Sequence, residues 1–244
     1  ILTFTTAPSG VVTVGDGVPV AWSKTGNIPT VNLYYTIGGS DTLIAGGLTG
    51  LSTAWTVPAE AIGTSVTLKL KDADGSHPLT EDVSAAFAVK GSLTITDPAA
   101  LLTVGATETL SWTKTSTITT VDLFYSTDGS TWATITAGAT GTSFGWSPLA
   151  AAIGTSVTVK VVDAVAGHPL TETISNPFQV QGVFTFTSAP SGTITVADAI
   201  AVAWTKTSTI TNVGLYYAVG ATETLIDTTS VTALTWTVPS DAVG

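Results

Sequence analysis

The strongest constraint on this chain is that it repeats itself. Trp22, Trp112 and Trp204 head three versions of one phrase: WSKTGNIPTVNLYY, WTKTSTITTVDLFY and WTKTSTITNVGLYY. A proline precedes each Trp by a fixed interval (Pro8, Pro98, Pro190), and a second Trp follows at a near-constant one (Trp55, Trp146, Trp236). AIGTSVT recurs as Ala61 to Thr67 and Ala152 to Thr158, and HPLTE as His77 to Glu81 and His168 to Glu172. A period of about 90 residues is long enough for each copy to close its own core. The boundaries fall near Gly91 and Gly182, predicting modules 1–91, 92–182 and 183–244. The third stops at Val243-Gly244, where its siblings run on. It is expected to lack their last two strands and to be a window on a longer array.

Within a module, apolar residues alternate with polar ones and Gly, Pro, Asp and Ser punctuate them, the pattern of strands joined by turns. In the first module Leu2 and Phe4 open, and Val11 to Val14 continue after the Pro8-Ser9-Gly10 break. Val18, Val20 and Trp22 alternate inward next. Val31, Leu33 and Tyr35 follow, leaving Asn32 and Tyr34 facing out. Leu43 with Ile44, Trp55 with Val57, the trio Val66, Leu68 and Leu70, and Phe87 with Val89 complete the set. Thr and Val suit this arrangement, because branching at Cβ fits a pleated surface better than a helix. About seven short strands with an early core Trp predict an all-β chain of tandem immunoglobulin-like or fibronectin III-like sandwiches. There is no Cys, so no disulfide bridges the sheets. The Trp pairs, each ring burying about 150–250 Å², must hold them together.

Composition excludes several roles. The formal net charge is −10, and all of the 7 basic residues are Lys; nucleic acid needs clustered cations, so it is not an expected partner. No stretch approaches the ~18 apolar residues of a spanning helix, so no membrane insertion is expected in these residues. Without Cys there are no thiolate metal sites, and the chain suits an oxidising exterior. The linkers Val89-Lys90-Gly91-Ser92-Leu93 and Val180-Gln181-Gly182-Val183-Phe184 are too short for free tumbling. They predict modules stacked as a semi-rigid rod.

One further pattern stands out: P-x-x-x-x-x-V-G, an inward Trp, V-x-L-x-Y-S-x-D-G-x-T-W, a second Trp and a closing S-x-x-F-x-V. Here it is Pro98 to Gly105, Trp112, Val121 to Trp132, Trp146 and Ser175 to Val180. It resembles the Ser-Thr-rich Ig-like repeat family named for glycosylphosphatidylinositol-anchored fungal wall proteins. The resemblance implies extracellular or cell-surface placement and brings no catalytic residues.

Candidate chemistry is sparse. His77 and His168 occupy equivalent turns, and neither lies near a nucleophile motif, so no enzyme is expected. Asp72-Ala73-Asp74-Gly75 resembles the opening of a calcium loop. The counterpart Asp163-Ala164-Val165-Ala166 loses the second carboxylate, which favours a plain turn and leaves calcium, at Asp72 and Asp74, as the one cofactor to weigh. Trp132 is a candidate glycan or partner contact, in a short edge region where the other modules have Thr42 and Thr224. Tyr34, Phe124 and Tyr216 form an outward aromatic row that could stack on sugar rings or cover a neighbouring array. Asn27, Asn32, Asn176 and Asn212 all fail the N-glycosylation rule. The expectation is a structural repeat of an extracellular or cell-surface protein: a rod, filament or surface-layer element whose partners are copies of itself, other surface proteins or glycans. The alternatives are an adhesin or carbohydrate-binding array, and spacer modules of a large secreted enzyme.

Overall fold

The computed structural model describes residues 1–243, and in it the alternating runs are strands. The first repeat contains β1 (Leu2–Thr6), β2 (Val11–Thr13), β3 (Gly17–Lys24), β4 (Val31–Ile37), β5 (Ser40–Leu48), β6 (Ser52–Thr56), β7 (Gly63–Asp72), β8 (Glu81–Val83) and β9 (Phe87–Lys90). They form two sheets, one ordered β1-β3-β6 and the other β2-β9-β7-β4-β5, with β8 added to β7. The second repeat copies this with β10 (Leu93–Thr96), β11 (Leu101–Thr103), β12 (Glu108–Lys114), β13 (Thr120–Ser126), β14 (Ala133–Thr140), β15 (Ser143–Trp146), β16 (Gly154–Asp163), β17 (Glu172–Ile174) and β18 (Phe178–Gln181). The chain is all-β, built of tandem immunoglobulin-like or fibronectin III-like sandwiches.

Two features go beyond the sequence pattern. The opening run is not one strand but two: β1 pairs antiparallel with β3, and after the proline break β2 joins the other sheet, parallel to β9. A proline cannot donate to a ladder, so the strand changes sheet where the ladder must lapse. The second feature is β8, a three-residue strand of mostly polar residues beside β7.

The predicted inward residues are the core. Val31, Leu33, Val66, Leu68, Leu70 and Val89 are fully enclosed, packed with Val20, Trp22, Tyr35, Trp55 and Phe87. Leu43 is exposed, whereas its neighbour Ile44 packs on the core. The outer edge strand carries a bulge here, matched in the second repeat. Gly47 and Gly138 adopt positive φ (67° and 65°). Their amides donate to the outward side chains Asn32 (2.9 Å) and Asp122 (2.7 Å). A residue with a Cβ would be strained there.

In each complete repeat the second Trp ties the sheets together. Trp55, on β6, stacks on Tyr35 of the opposite sheet (centroids 5.8 Å apart) and meets Phe87 edge-on (6.0 Å). Trp146 does the same with Tyr125 (5.5 Å) and Phe178 (6.3 Å). The first Trp contributes differently: Trp22, Trp112 and Trp204 are buried, and their indole Nε1 has no protein acceptor. Their stabilisation comes from ring area alone, set against the cost of an unpaired donor.

The third repeat has β19 (Phe184–Ser188), β20 (Ala199–Lys206), β21 (Val213–Val219), β22 (Thr222–Thr229) and β23 (Ala233–Thr237). Among the described residues it has no counterparts of β7, β8 and β9, which is the predicted pair of closing strands and the unpredicted β8. Thr193 to Thr195, aligned with β2, form no strand, and no counterpart of β9 lies among the described residues. Phe184 and Phe186 are 53% and 58% exposed, whereas Leu93 and Ile95 of the second repeat are each 8% exposed.

This difference is measurable. Leu123→Ala, at a fully enclosed site, should cost about 2–5 kcal/mol in the unfolding of the second repeat. Leu215→Ala, at the same place in the third, should cost less. Denaturant melts of both variants, followed by hydrogen exchange at each repeat, would check it; equal costs would contradict the packing difference.

Candidate functional site

The residues between repeats make the most built feature of the chain. Two residues, Gly91 and Ser92, join β9 to β10, and Gly182 and Val183 join β18 to β19. Gly91 sits between Ile62 of the first repeat and Ile118 of the second. A Cβ placed on it would lie 2.7 Å from Ile118 Cδ1 and 3.2 Å from Ile62 Cδ1. Gly182 is clasped in the same way, with Ile210 Cδ1 at 2.6 Å and Ile153 Cδ1 at 3.1 Å from such a Cβ. Only glycine fits without moving those methyls. A hydroxyl crosses each junction: Thr117 Oγ1 donates to the Ala59 carbonyl (3.2 Å), and Thr209 Oγ1 to the Ala150 carbonyl (3.1 Å).

The loop that reaches across is itself fastened. Lys114 Nζ donates to the carbonyls of Ile118 and Thr119, and Lys206 Nζ to those of Ile210 and Thr211. Thr115 Oγ1 accepts from the Ser92 amide (2.7 Å) and Thr207 Oγ1 from the Val183 amide (2.8 Å). The W-x-K-T-x-x-I phrase that marks the repeat therefore encodes the junction as well as the core Trp. Its regularity is visible in the sequence, but the roles of Thr117 and Ile118 are not, because their partners lie in the preceding repeat, and Lys114 is hidden because its acceptors are main-chain carbonyls.

The outer face of the larger, six-stranded sheet holds the aromatic residues of the predicted row in the first two repeats, under lysines. Lys71 Nζ lies 5.2 Å above the Tyr34 ring, and Lys160 Nζ lies 5.7 Å from the Phe124 ring and 4.4 Å from that of Trp132. The register corrects one equivalence. Tyr35 faces Thr42, Tyr125 faces Ala133 and Tyr217 faces Thr224, so Thr42 and Thr224 match Ala133, not Trp132. The second repeat's hairpin is longer by a residue, which shifts the alignment. The position next to Thr42 is Asp41, and in the third repeat it is Glu223.

Lys69 and Lys160 stand at one register position, opposite Tyr34 and Phe124. The first repeat pairs its lysine with a carboxylate: Lys69 and Lys71 both meet Asp41 at 2.9 Å. These ammonium groups, Lys69 foremost, with the Thr36 hydroxyl hold the Asp41 carboxyl far below the usual carboxylate range. The second repeat gives its lysine the Trp132 indole face at that place, with the Glu172 carboxylate 3.7 Å away. Tyr216, in the third repeat, is 54% exposed, with its ring folded over Gly214.

The histidine turns are closed by imidazole–carboxylate hydrogen bonds. His77 Nδ1 is 2.8 Å from Asp72 Oδ2, and His168 Nδ1 is 2.8 Å from Asp163 Oδ2. His77 Nε2 also lies 3.3 Å from Asp74 Oδ2. The calcium candidates Asp72 and Asp74 are brought together, but their oxygens are engaged within the turn. Asp72 Oδ1 accepts from the Asp74 amide (3.0 Å), and Asp74 Oδ1 from the Ser76 amide (2.9 Å) and hydroxyl (2.6 Å). Among the described residues no group of three or more His, Cys, Asp or Glu is arranged to hold a metal ion. The hydrogen bond to Asp72, aided by the Asp74 charge and opposed by burial, raises the His77 pKa above its ordinary 6.5. The Asp74 amide and His77 lower that of Asp72.

The sign follows from linkage. His77, with its folded pKa raised, stabilises the turn fully below pH 6.5 and loses that contribution as pH rises through the folded value. Asp72, with its folded pKa lowered, stabilises above pH 3.8 and loses its contribution as pH falls through the folded value. NMR titration of His77 should therefore give a midpoint above 6.5 that falls in Asp72→Asn; an unmoved midpoint would refute the pairing. On the outer face, Lys160→Ala should make Trp132 more accessible to acrylamide quenching. Stability should fall by about 0.5–1 kcal/mol, and Lys69→Ala should leave the quenching unchanged.

No family model matches the chain, and no curated protein does. Among solved structures it is similar to the fibronectin(III)-like modules of Clostridium thermocellum CbhA, at 15% identity over 74% of this chain and 92% of that one, with a TM-score of 0.28. A tetra-tandem repeat in the extending region of a large adhesion protein is 15% identical, over 99% of this chain and 66% of that one, with a TM-score of 0.38. The ICAM-5 D1–D4 ectodomain fragment is 12% identical, over 98% and 76%, with a TM-score of 0.37.

Proposed function

We propose that this chain is part of a structural repeat region of an extracellular or cell-surface protein, in which modules 1–91, 92–182 and 183–244 are held end to end as a semi-rigid rod. The observation that carries the proposal is the junction, because the same clasp of Ile, Gly and Ile with a bridging Thr occurs twice. Two junctions of one design give successive repeats the same local contacts, and repetition of one contact is how an array keeps its direction. Two-residue linkers and a buried glycine leave little freedom to bend.

Placement outside the cell is proposed on the absence of Cys from the sequence and on the resemblance to the Ser-Thr-rich Ig-like repeat family. Among the described residues no helix is long and apolar enough to cross a membrane. A mechanical role fits the side chains best: the conspicuous polar groups are spent on turns, clasps and lysine contacts. A filament, stalk or surface-layer element would use such a rod. The adhesin reading would need free aromatic faces, and in the first two repeats lysines lie over them.

Small-angle X-ray scattering of the chain should give the pair-distance function of an elongated particle with fixed ends. Gly91→Val should push Ile62 and Ile118 apart, make the junction flexible and cost about 1–3 kcal/mol without unfolding either repeat. Scattering typical of freely jointed beads in the unsubstituted chain would sink the proposal.

A further inference from the structure

The HPLTE motif, on the turns after β7 and β16, holds a leucine out to solvent. Leu79 is 77% exposed and Leu170 71%. A lone exposed leucine is ordinary, but this one recurs at the same place, and Leu170 lies in a repeat with neighbours on both sides. The turn beneath it is fastened at its ends and across its middle. The Asp163 amide donates to the Thr171 carbonyl (2.8 Å) and the Ala164 amide to the Thr120 carbonyl (3.1 Å). The Val165 amide donates to Asp163 Oδ1 (2.9 Å), and His168 Nδ1 meets Asp163 Oδ2. Pro169 fixes the main chain just before the leucine. An apolar group presented so rigidly loses little freedom when it is covered.

The same chain carries a groove of matching character. At one edge of the first repeat, Leu43, Ile44 and Ala45 of β5 and Ala54 of β6 line a cavity of about 330 Å³, together with Trp55 and Pro58. No charged residue lines it, and Asp41, the carboxylate of β5, is already met by Lys69 and Lys71. We infer that the leucine turn of the second repeat, residues 164–171, seats in the β5–β6 groove of the first repeat of another copy of this chain.

Two observations select these halves. Turn 164–171 has no carboxylate, whereas 73–80 carries Asp74, and on a chain of net charge −10 the uncharged turn meets less repulsion. The groove of the first repeat has Leu43 and Ala54 where the register of the second places Thr134 and Gly145. The directions also suit addition of copies side by side. Within a repeat the turn lies on the side of β7 or β16 away from β4 or β13, and β5 or β14 forms the opposite edge. A copy that receives a turn therefore still offers its own, and contacts of this heterologous kind extend without closing a pair. One leucine makes a weak contact, and an array that repeats it gains by multivalency. That gain rests on the rod proposed above, whereas the single contact does not.

Sedimentation equilibrium of the full chain should give a mean mass that rises with concentration. Leu170→Asp and Leu43→Asp should each weaken the association by about 10- to 100-fold, the loss from leaving one leucine unburied. Their thermal melts should be unchanged, because both sites are exposed. Leu79→Asp should leave the association as it is. Mixed in equal amounts, the Leu170→Asp and Leu43→Asp chains should form a pair and stop there, since one keeps only the groove and the other only the turn. A chain that stays monomeric at every concentration would overturn the inference, as would association untouched by either variant. A mixture that stays monomeric, or equal weakening by Leu79→Asp, would overturn the pairing of these two halves. Rigid scattering without association would sink the contact and leave the rod, and flexible scattering with association would do the reverse.

Discussion

Each complete repeat depends on one aromatic clasp between two sheets that no disulfide joins. Trp55 projects from the three-stranded sheet and is held by Tyr35 and Phe87 of the larger one; Trp146 is held by Tyr125 and Phe178. Offset and edge-on ring contacts of this kind add about 0.5–1.5 kcal/mol each to the area that they bury. The clasp also fixes which strands must be present. Its three rings come from β6, β4 and β9, which are distant in sequence, so it closes only after the chain has travelled around the sandwich.

The described residues of the third repeat end before the positions of β7, β8 and β9. Among them the clasp shows two rings, Tyr217 and Trp236, and the opening strand β19 is exposed. The core of this repeat is the small cluster of Val202, Trp204 and Leu215 with partly buried neighbours. The junction to the second repeat is complete, because its parts, Ile210, Thr207 and Thr209, lie early in the third repeat. Clasp and junction are thus separable, one closing a repeat and the other spacing it from the last.

Alternation made the core legible, since a strand with one face buried must place its apolar residues two apart. Val31, Leu33, Val66, Leu68 and Leu70 could be named from the sequence for that reason. The polar strand β8 could not, because Glu81-Asp82-Val83 is held by main-chain pairing to β7 and by the Asp82 carboxylate accepting from the Phe4 amide (2.8 Å). Neither leaves a period in side-chain character. The passage of β1 into β2 across two sheets was hidden likewise, although the proline that causes it was noted. On the outer face the sequence identified the right aromatics and the wrong neighbours. Trp132 was aligned with threonines because one extra hairpin residue is invisible to spacing, and the lysines above the rings became visible only when the β13–β16 register was known.

The parallel pairing of β2 with β9 gives a repeat a particular response to tension. The chain enters each complete sandwich through β1, crosses into the strand of β2 type and leaves at the strand of β9 type, and these last two lie side by side pointing the same way. Pulling the ends of the molecule apart drags one strand along the other, so the bonds around Val11 to Thr13 and Ala88 to Lys90 are loaded in shear. Bonds loaded together must yield together, whereas a hairpin pulled from its open end would unzip one rung at a time. The early change of sheet at Pro8 is what sets that shear contact behind the short β1–β3 ladder on the path from one end of the repeat to the other.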